Sequence, residues 1–531
     1  MILVSNSTRA SAQLASHGGF RVKRIIKQYL ARRKRQILAR LDKTKFEGPG
    51  PVLAGANIHY EVAQRTHGIA CGGIGVIHDM VQRLGLAEAI NRSVPIFKRY
   101  LPYSESDHVL NIAYNLLAGG TCLDHLELRR NDEAYLNALG VRRIPDPTTA
   151  GDFCRRFEPH TILELMETIN QARLRVWQTQ PASFFDHAVI EADGTMVETT
   201  GECKEGIDIN HKGQWGYHPL LISLANTGEA LYLVNRSGNR PSHERAAEYF
   251  DRAVNLCRRA GFQQITLRGD TDFTQTAHLD RWDQDGVTFV FGIDAMDALY
   301  ARAEELEETA WKLLQRPARY EVKTECRARP HNTKQQVVEQ REFEDIRLAA
   351  EYVAEFTYRP TKCRTCYRVV VVWKDLEVYR GQAKLFDDTK CFFYITNDWE
   401  SSAAEIVFSA NDRCDQENLI QQHKHGVPAL TAPLDNLNSN WAYMVMASLA
   451  WSLKAWSALL LPVHGRWQAK HSVEKQRLLR MDFVTYRHAF LNIPAQIVRT
   501  GRKIVYRLLA WNPWQEVFFR LVGQLRTLKY A

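Results

Sequence analysis

The stretch that decides the fold is His187-Ala188-Val189-Ile190-Glu191-Ala192-Asp193-Gly194-Thr195. It is a short apolar run that ends in an acid followed by glycine, and it predicts a buried strand with Asp193 at its C-terminal end. A second run of this kind, Gln264–Phe273, brings Asp270 to its tip. Open sheets with helices on their faces place their chemistry at strand ends. Both aspartates are therefore candidates for one site.

The commoner use of an aspartate after a strand is in a turn or as a helix N-cap. Asp272 could cap the helix that follows it in this way. We therefore assign Asp270, rather than Asp272, to the candidate site.

Three charged residues further along the chain, Arg413, Glu417 and Lys424, follow the pattern R-x3-E-x6-K. At about 100° per residue, offsets of 4 and 11 return to within roughly 40° of the start, so a helix would carry all three on one stripe. A solvated, salt-bridged stripe has the same spacing. The two upstream aspartates favour the other interpretation, in which the carboxylate holds a metal and the cations hold phosphates.

Three carboxylates on two strand ends and one helix could converge on one point. Two unit charges ~4 Å apart repel by about 4 kcal/mol at an effective dielectric of ~20, so such a cluster calls for cations. Oxygen ligands with open positions suit Mg²⁺ or Mn²⁺ rather than zinc. Two ions per site would serve phosphoryl transfer. The sequence thus predicts Asp193, Asp270 and Glu417 as both catalytic and metal-binding residues.

With these motifs the chain resembles the DDE transposases of bacterial insertion sequences, in the branch whose third acid lies in a Y-x2-R-x3-E-x6-K signature. Ala410 stands where that signature has its tyrosine. The resemblance covers roughly residues 60–510. Further segments that resemble the family are the two acid blocks and the stretch between them, Ala192–Thr195, Arg268–Asp270 and Gly238–Glu244.

The resemblance implies an α/β fold: an RNase H-like, mixed-sheet catalytic core interrupted by a β-rich insertion, with helical N- and C-terminal regions. The expected parts are a basic flexible arm at 1–55, a helical DNA-binding region at 56–175, the first part of the core at 176–293, the insertion at 294–398, the second part of the core with the Glu417 helix at 399–462, and a basic helical region at 463–531. The strands predicted for the core are Ala188–Asp193, Tyr217–Leu224, Leu231–Val234, Gln264–Asp270 and Val287–Ile293, with a Ser-capped helix at Ser242–Ala260.

The implied function is that of a transposase, which would bind terminal inverted repeats in double-stranded DNA, cut each end and join the freed 3′-hydroxyl to target DNA. The resemblance also implies a homodimer in the synaptic complex. Two alternatives stay open: a catalytically silent descendant that still binds the repeats, and an RNase H-like nuclease without strand joining.

Basic residues concentrate at both ends of this 531-residue chain, whose net charge is +9. Residues 21–45 hold eleven Lys and Arg against one acid, and residues 461–531 hold thirteen against three. Such flanking charge suits a protein that grips a polyanion, although a solvated helix face or tail is the alternative. The predicted DNA contacts are Arg413, Lys424, Arg32, Arg33, Lys34, Arg35, Arg502 and Lys503.

The sequence shows no signal peptide, and the most apolar stretch, Met444–Val463, contains Lys454 and reads as a buried helix rather than a membrane span. Together with the resemblance, this implies a cytoplasmic, nucleoid-associated bacterial protein. The ten cysteines are scattered, as in a reduced compartment. Cys363 and Cys366 form one CxxC, which predicts a β-hairpin turn unless Cys326 and His331 complete a zinc site. Trp373 and Tyr379 of the insertion are ordinary strand residues or base-stacking platforms.

Overall fold

The computed structural model describes residues 27–36, 38–39, 67–98, 102–316, 344–380, 383–500 and 503–528. These residues form two compact units, each built from separate segments of the chain. The terminal unit comprises the described residues of 27–88, 102–150 and 460–528. The sheet unit comprises those of 89–98 and 151–459.

Helices dominate the first third of the described chain and alternate with strands after it. In chain order they are α1 (27–36), α2 (Ile74–Arg83), α3 (Leu86–Ser93), α4 (Glu105–Leu117), α5 (Leu126–Arg130), α6 (Glu133–Leu139), α7 (Pro147–Cys154), α8 (Pro159–Trp177), α9 (Ala246–Ala260), α10 (Thr276–Gln284), α11 (Asp297–Glu304), α12 (Ala403–Asn411), α13 (Cys414–Gln421), α14 (Leu437–Leu459), α15 (Gln468–Leu479), α16 (Phe483–Tyr486) and α17 (Gln515–Leu525).

Strands of the described chain belong to three sheets. They are β1 (Gly68–Ile69), β2 (His187–Gly194), β3 (Val197–Glu198), β4 (Asp208–Ile209), β5 (Trp215–Tyr217), β6 (Leu220–Leu224), β7 (Glu229–Val234), β8 (Gln264–Gly269), β9 (Thr288–Ile293), β10 (Lys312–Leu313), β11 (Glu344–Tyr358), β12 (Tyr367–Arg380), β13 (Ala383–Thr396), β14 (Ala495–Thr500) and β15 (Lys503–Leu508).

The large sheet of the sheet unit has the strand order β10-β11-β12-β13-β9-β8-β2-β6-β7. β2, β8 and β9 run parallel, whereas β6 and β7 are antiparallel to their neighbours. The parallel strands are buried on both faces, which explains why their sequences are nearly continuous apolar runs. The prediction of a mixed α/β fold is confirmed, and the C-terminal ends of β2 and β8 lie side by side.

The β-rich insertion continues the large sheet. Its last strand, β13, pairs with β9, so β11, β12 and β13 add to the same sheet rather than forming a separate one. The CxxC lies in the turn between β11 and β12, where the Cys363 thiol donates to the carbonyl of Thr276 at 3.1 Å. Burial raises the pKa of that thiol to about 11. Cys326 and His331 lie outside the described residues.

Trp373 packs edge-on against Trp311, with ring centroids 5.5 Å apart, and its indole N–H donates to Asp375. It is held as an ordinary strand residue. The side chain of Tyr379 lies outside the described residues, so its role stays a prediction.

The edge strand β7 is covered by side chains of α8 and α14. The outer carbonyls of an edge strand need partners when they are buried. The carbonyls of β7 and of the turn before it accept hydrogen bonds from side chains. Trp441 donates to Leu233, Trp451 to Gly228, Asn170 to Leu231 and Arg173 to Ala230. Helix α14 is therefore a buried core helix, as predicted. None of the helices in the described chain has the length and apolarity to cross a membrane.

Two predicted element boundaries in this region are wrong. The strand expected at Tyr217–Leu224 is split into β5 and β6, because Pro219 between them has no N–H for a ladder. The helix expected from Ser242 begins only at Ala246. The Arg236 guanidinium accounts for the difference, since its Nη1 donates to the carbonyls of Pro241, Ser242 and Glu244 and holds them in a turn.

The terminal unit contains helices and the small sheet β1-β14-β15. The C-terminal region is thus helical, as predicted, and also supplies a β-hairpin that was not predicted. The prediction of a flexible arm at 1–55 is wrong for residues 27–36, because these residues form the helix α1. Leu30 on this helix is buried, and the Arg33 guanidinium donates to the carbonyl of Leu509 at 3.0 Å. The rest of the predicted arm, apart from residues 38–39, lies outside the described residues.

Candidate active site

The structure brings Asp193 and Asp270 together at one edge of the large sheet. β2 and β8 are parallel neighbours, with Glu191 aligned to Arg268. Side chains two residues apart on a strand point to the same face, so Asp193 and Asp270 follow this pair on one face. Asp193 is the penultimate residue of β2, and Asp270 comes directly after β8.

Asp270 also caps the short 3₁₀ helix Thr271–Phe273, where its carboxylate accepts from the backbone N–H of Asp272 at 3.0 Å. Asp272 does not cap α10, which begins at Thr276 with Gln275 as its N-cap. Asp272 is exposed and lies beside the site rather than within its ion pairs.

The third acid reaches the same place on α13. Gln416, the residue before Glu417, is buried and fixes the helix to the sheet, because its amide N–H donates to the carbonyl of Leu221 at 3.2 Å and its Oε1 accepts from Ser223. Glu417 therefore stands in the first turn of a helix anchored beside β2.

Arg413 joins the three acids. Its Nη1 lies 3.1 Å from Asp270 Oδ2 and 3.9 Å from Asp193 Oδ2, and its Nη2 lies 3.6 Å from Glu417 Oε1. The Arg413 side chain is 24% exposed, whereas the Glu417 side chain is 62% exposed. One planar cation thus faces all three predicted acids, which lie far apart in the sequence.

Lys424 departs from the predicted single helical stripe. α13 ends at Gln421, and Lys424 lies in the π-helical turn Gln422–Gly426 that follows. Such turns often mark functional sites. The Lys424 side chain is half-buried, and burial lowers its pKa, against the opposing charges of Glu198 and Asp193. It therefore approaches the site from the side of Asp193 and β3.

Burial and the charges of neighbouring carboxylates raise the pKa values of the two aspartates. The pKa of Asp193 is raised to about 7, first by burial and then by the charge of Asp270, while Arg413 opposes the shift. The pKa of Asp270 is also raised, chiefly by burial, again with Arg413 opposing. Perturbed carboxyls in a group of this kind are typical of functional sites.

The raised pKa of Asp193 predicts that the metal-free protein loses stability as the pH rises from about 4 to about 7. Over this window the folded protein keeps a proton on Asp193 that the unfolded chain has released. The folded state binds more protons, so the free energy of unfolding falls with pH. Denaturant unfolding in EDTA at a series of pH values measures this, and Asp193→Asn should flatten the decline.

Asp280→Asn is the matched control. Backbone N–H donation from Arg364 and the hydroxyl of Tyr367 lower the pKa of Asp280, so this group stabilises the folded state at high pH instead. Its removal should change the pH profile in the opposite sense. Identical profiles for wild type and Asp193→Asn would contradict the prediction.

The set of donor groups at this site is chemically suited to a hard divalent cation. It consists of carboxylate oxygens, and two of the three groups are held where their negative charge is disfavoured. As the side chains stand, no three His, Cys, Asp or Glu groups among the described residues lie close enough to hold a metal ion together. The acids instead surround the Arg413 guanidinium. Glu417, the most exposed of them, would have to turn to bind the same metal ion as the aspartates.

The comparison with protein families identifies the chain. The family model for the transposase DDE domain group 1 matches residues 69–530. The chain belongs to this family. The DDE transposase part of the resemblance is thereby confirmed, whereas the insertion-sequence branch and its signature remain predictions.

Among solved structures, the chain is similar to a piggyBac transposase in a synaptic complex with hairpin DNA, determined by cryo-electron microscopy. The identity is 11% and the TM-score is 0.34, over 81% of this chain and 83% of that chain. The family assignment rests on the family model and not on this similarity. No curated protein matches the chain.

The predicted DNA-contacting residues are only partly free to meet DNA. On α1, Arg32, Lys34 and Arg35 are exposed and Arg33 is engaged with Leu509. Lys503 is exposed at the start of β15, and Arg502 lies outside the described residues.

Sequence reasoning missed the buried residues beneath the acids, Glu191, Arg268 and Gln416. A signal was present for the first two, because each lies two residues before a predicted acid and must share its face of the strand. Nothing local indicated that these two would pair with each other.

Proposed function

We propose that the chain is a DNA transposase that binds the terminal inverted repeats of an insertion sequence, cleaves its ends and joins them to target DNA. The observation that carries the proposal is the convergence of Asp193, Asp270 and Glu417 on one guanidinium at the strand ends of the large sheet. Membership of the DDE family gives that convergence its chemical meaning.

Asp193, Asp270 and Glu417 would hold Mg²⁺ or Mn²⁺, two ions per site. Such ions neutralise phosphate charge and activate the attacking oxygen in phosphoryl transfer. Arg413 and Lys424 would contact phosphates beside the scissile bond, since a guanidinium binds phosphate oxygens with the same two-pronged geometry as carboxylates. The water that cuts and the 3′-hydroxyl that joins would use the same three acids in turn.

The exposed cations of the terminal unit would hold the DNA outside the site. Their number predicts a steep salt dependence: six to ten phosphate contacts correspond to a loss of about 10³ to 10⁵ in affinity between ~50 and ~200 mM salt. Fluorescence anisotropy with labelled repeat DNA measures it. Arg32→Gln and Lys503→Gln should each reduce the slope of log affinity against log salt by about 1.

Arg302→Gln on α11 serves as a charge-matched control, because Arg302 is exposed but lies outside the basic ends. It should leave the salt slope unchanged. A flat salt response of the wild type would remove the basic ends from the DNA-binding surface.

The test of the proposal is a cleavage and joining assay with Mg²⁺ and DNA that carries the repeats flanking the gene. Joined strands establish the transposase. Nicks without joining favour the RNase H-like nuclease, and tight repeat binding with neither product favours the silent descendant. A homodimer in the synaptic complex and a cytoplasmic, nucleoid-associated location in a bacterium are parts of the same proposal.

A further inference from the structure

A row of buried polar side chains crosses three strands directly beneath the acids. Glu191 on β2 is aligned with Ser223 on β6 and with Arg268 on β8. Ser223 and Glu191 are each 1% exposed, and Arg268 is 6% exposed. Because side chains alternate along a strand, this polar row lies on the face that carries Asp193 and Asp270, one step further into the sheet.

Arg268 makes three short contacts from the centre of this arrangement. Its Nε and Nη2 lie 2.8 and 2.6 Å from Oε1 of Glu191, and its Nη1 donates to the carbonyl of Ser409 at 2.6 Å. Ser409 is in the last turn of α12, where helix carbonyls have no partner within the helix. One guanidinium therefore ties β8 to β2 and both strands to the end of α12.

The other side of the row holds the next helix. Gln416 of α13 accepts from Ser223 and donates to the carbonyl of Leu221, which is aligned with Asp193. Arg413 lies between Ser409 and Gln416 in the sequence, and Glu417 directly follows Gln416. The three acids and Arg413 are thus carried by backbone that the row anchors.

We propose that the polar row of Ser223, Glu191 and Arg268, together with Gln416, positions the acids and Arg413 for reaction without touching substrate. The inference rests on the proposed function of the same site. Apolar residues would fill this space at lower desolvation cost, but they would not fix the relative placement of two strands and two helices. Displacements of about 1 Å at a reacting centre cost on the order of 10²-fold in rate.

A second buried pair in the same unit provides a matched control. Arg173 is 1% exposed, its Nε lies 3.0 Å from Oε1 of Glu229, and its Nη2 donates to a backbone carbonyl as Arg268 does. The pair lies at the edge strand β7, separated from β2 by β6. Arg173→Met and Arg268→Met remove comparable interactions, but only the second lies beneath the acids.

The experiment measures single-turnover cleavage at saturating repeat DNA, the dissociation constant for that DNA, and Mn²⁺ binding by calorimetry. We expect Arg268→Met to slow cleavage about 10²-fold and to weaken Mn²⁺ binding, with DNA affinity changed less than about twofold. Arg173→Met should lower the melting temperature but leave all three quantities close to wild type. Gln416→Leu, which keeps the strand pair intact, should slow cleavage about tenfold and covers the case in which Arg268→Met does not fold.

Wild-type rates and Mn²⁺ affinity in folded Arg268→Met or Gln416→Leu would overturn the inference, as would an equal loss in Arg173→Met. If the wild type cleaves no repeat DNA, the proposed function fails, and the Mn²⁺ measurement still decides whether the row positions the acids.

Discussion

Asp193→Ala is expected to abolish DNA cleavage while DNA binding is retained. Asp193 is on the parallel strand β2, beside Asp270 and within reach of the same guanidinium. Loss of a carboxylate that holds a catalytic metal removes several kcal/mol of transition-state stabilisation, which corresponds to about 10³-fold or more in rate. The single-turnover cleavage rate and the dissociation constant for repeat DNA together measure the effect.

The loss should not come from unfolding. The raised pKa of Asp193 means that its ionised form is disfavoured in the folded protein, so removing the charge should leave stability equal or higher near neutral pH. A melting curve in EDTA checks this. Asp272→Ala is the matched control, because Asp272 is an exposed aspartate two residues from Asp270. A loss in Asp272→Ala as large as in Asp270→Ala would overturn the assignment of the second acid.

The largest expected effect on stability is that of Glu229→Leu. The Glu229 side chain is fully buried on β7 and accepts from the Arg173 guanidinium and from the indole N–H groups of Trp177 and Trp456. Removing it leaves a buried cation and two buried donors without these acceptors. Breaking a buried ion pair from one side costs about 3–5 kcal/mol, a large part of the 5–15 kcal/mol that is typical of a folded domain.

Denaturant unfolding of wild type and variant measures that cost. The surface pair Arg245–Glu248, whose side chains are each 41% exposed, is the control, and Glu248→Leu there should change stability by less than about 1 kcal/mol. The double variant Arg173→Met/Glu229→Leu should regain much of the loss, because neither charge is then left unpaired. A double variant less stable than Glu229→Leu alone would contradict this account.

Local sequence was sufficient where a residue's structure depends on its chain neighbours. The strands that carry Asp193 and Asp270 were predicted within one or two residues, because a short apolar run with an acid at its tip has few other structures. The Asn226–Gly228 turn between β6 and β7 also depends on local sequence, since Gly228 has a φ of 63° that favours glycine. The buried helix α14 followed from its apolar composition.

Local sequence failed where distant groups set the structure. The start of α9 was misplaced because the Arg236 guanidinium, rather than a serine cap, organises residues 241–244. The single stripe predicted for Arg413, Glu417 and Lys424 was interrupted because α13 ends in a π-helical turn. The insertion was expected to interrupt the core, and only the pairing of β13 with β9 shows that it extends the same sheet.

The sequence by itself determined the chemical groups of this protein: two acids at strand tips, a third acid with its cations at helical spacing, and basic ends. Periodicity and strand-end position carry that information over a few residues. Only the tertiary structure decided that the Arg413 guanidinium faces all three acids, and that Glu191 pairs with Arg268 beneath them. Those contacts join residues separated by 77 or more positions in all cases but one, and strand register and helix docking, which no local pattern encodes, bring them together.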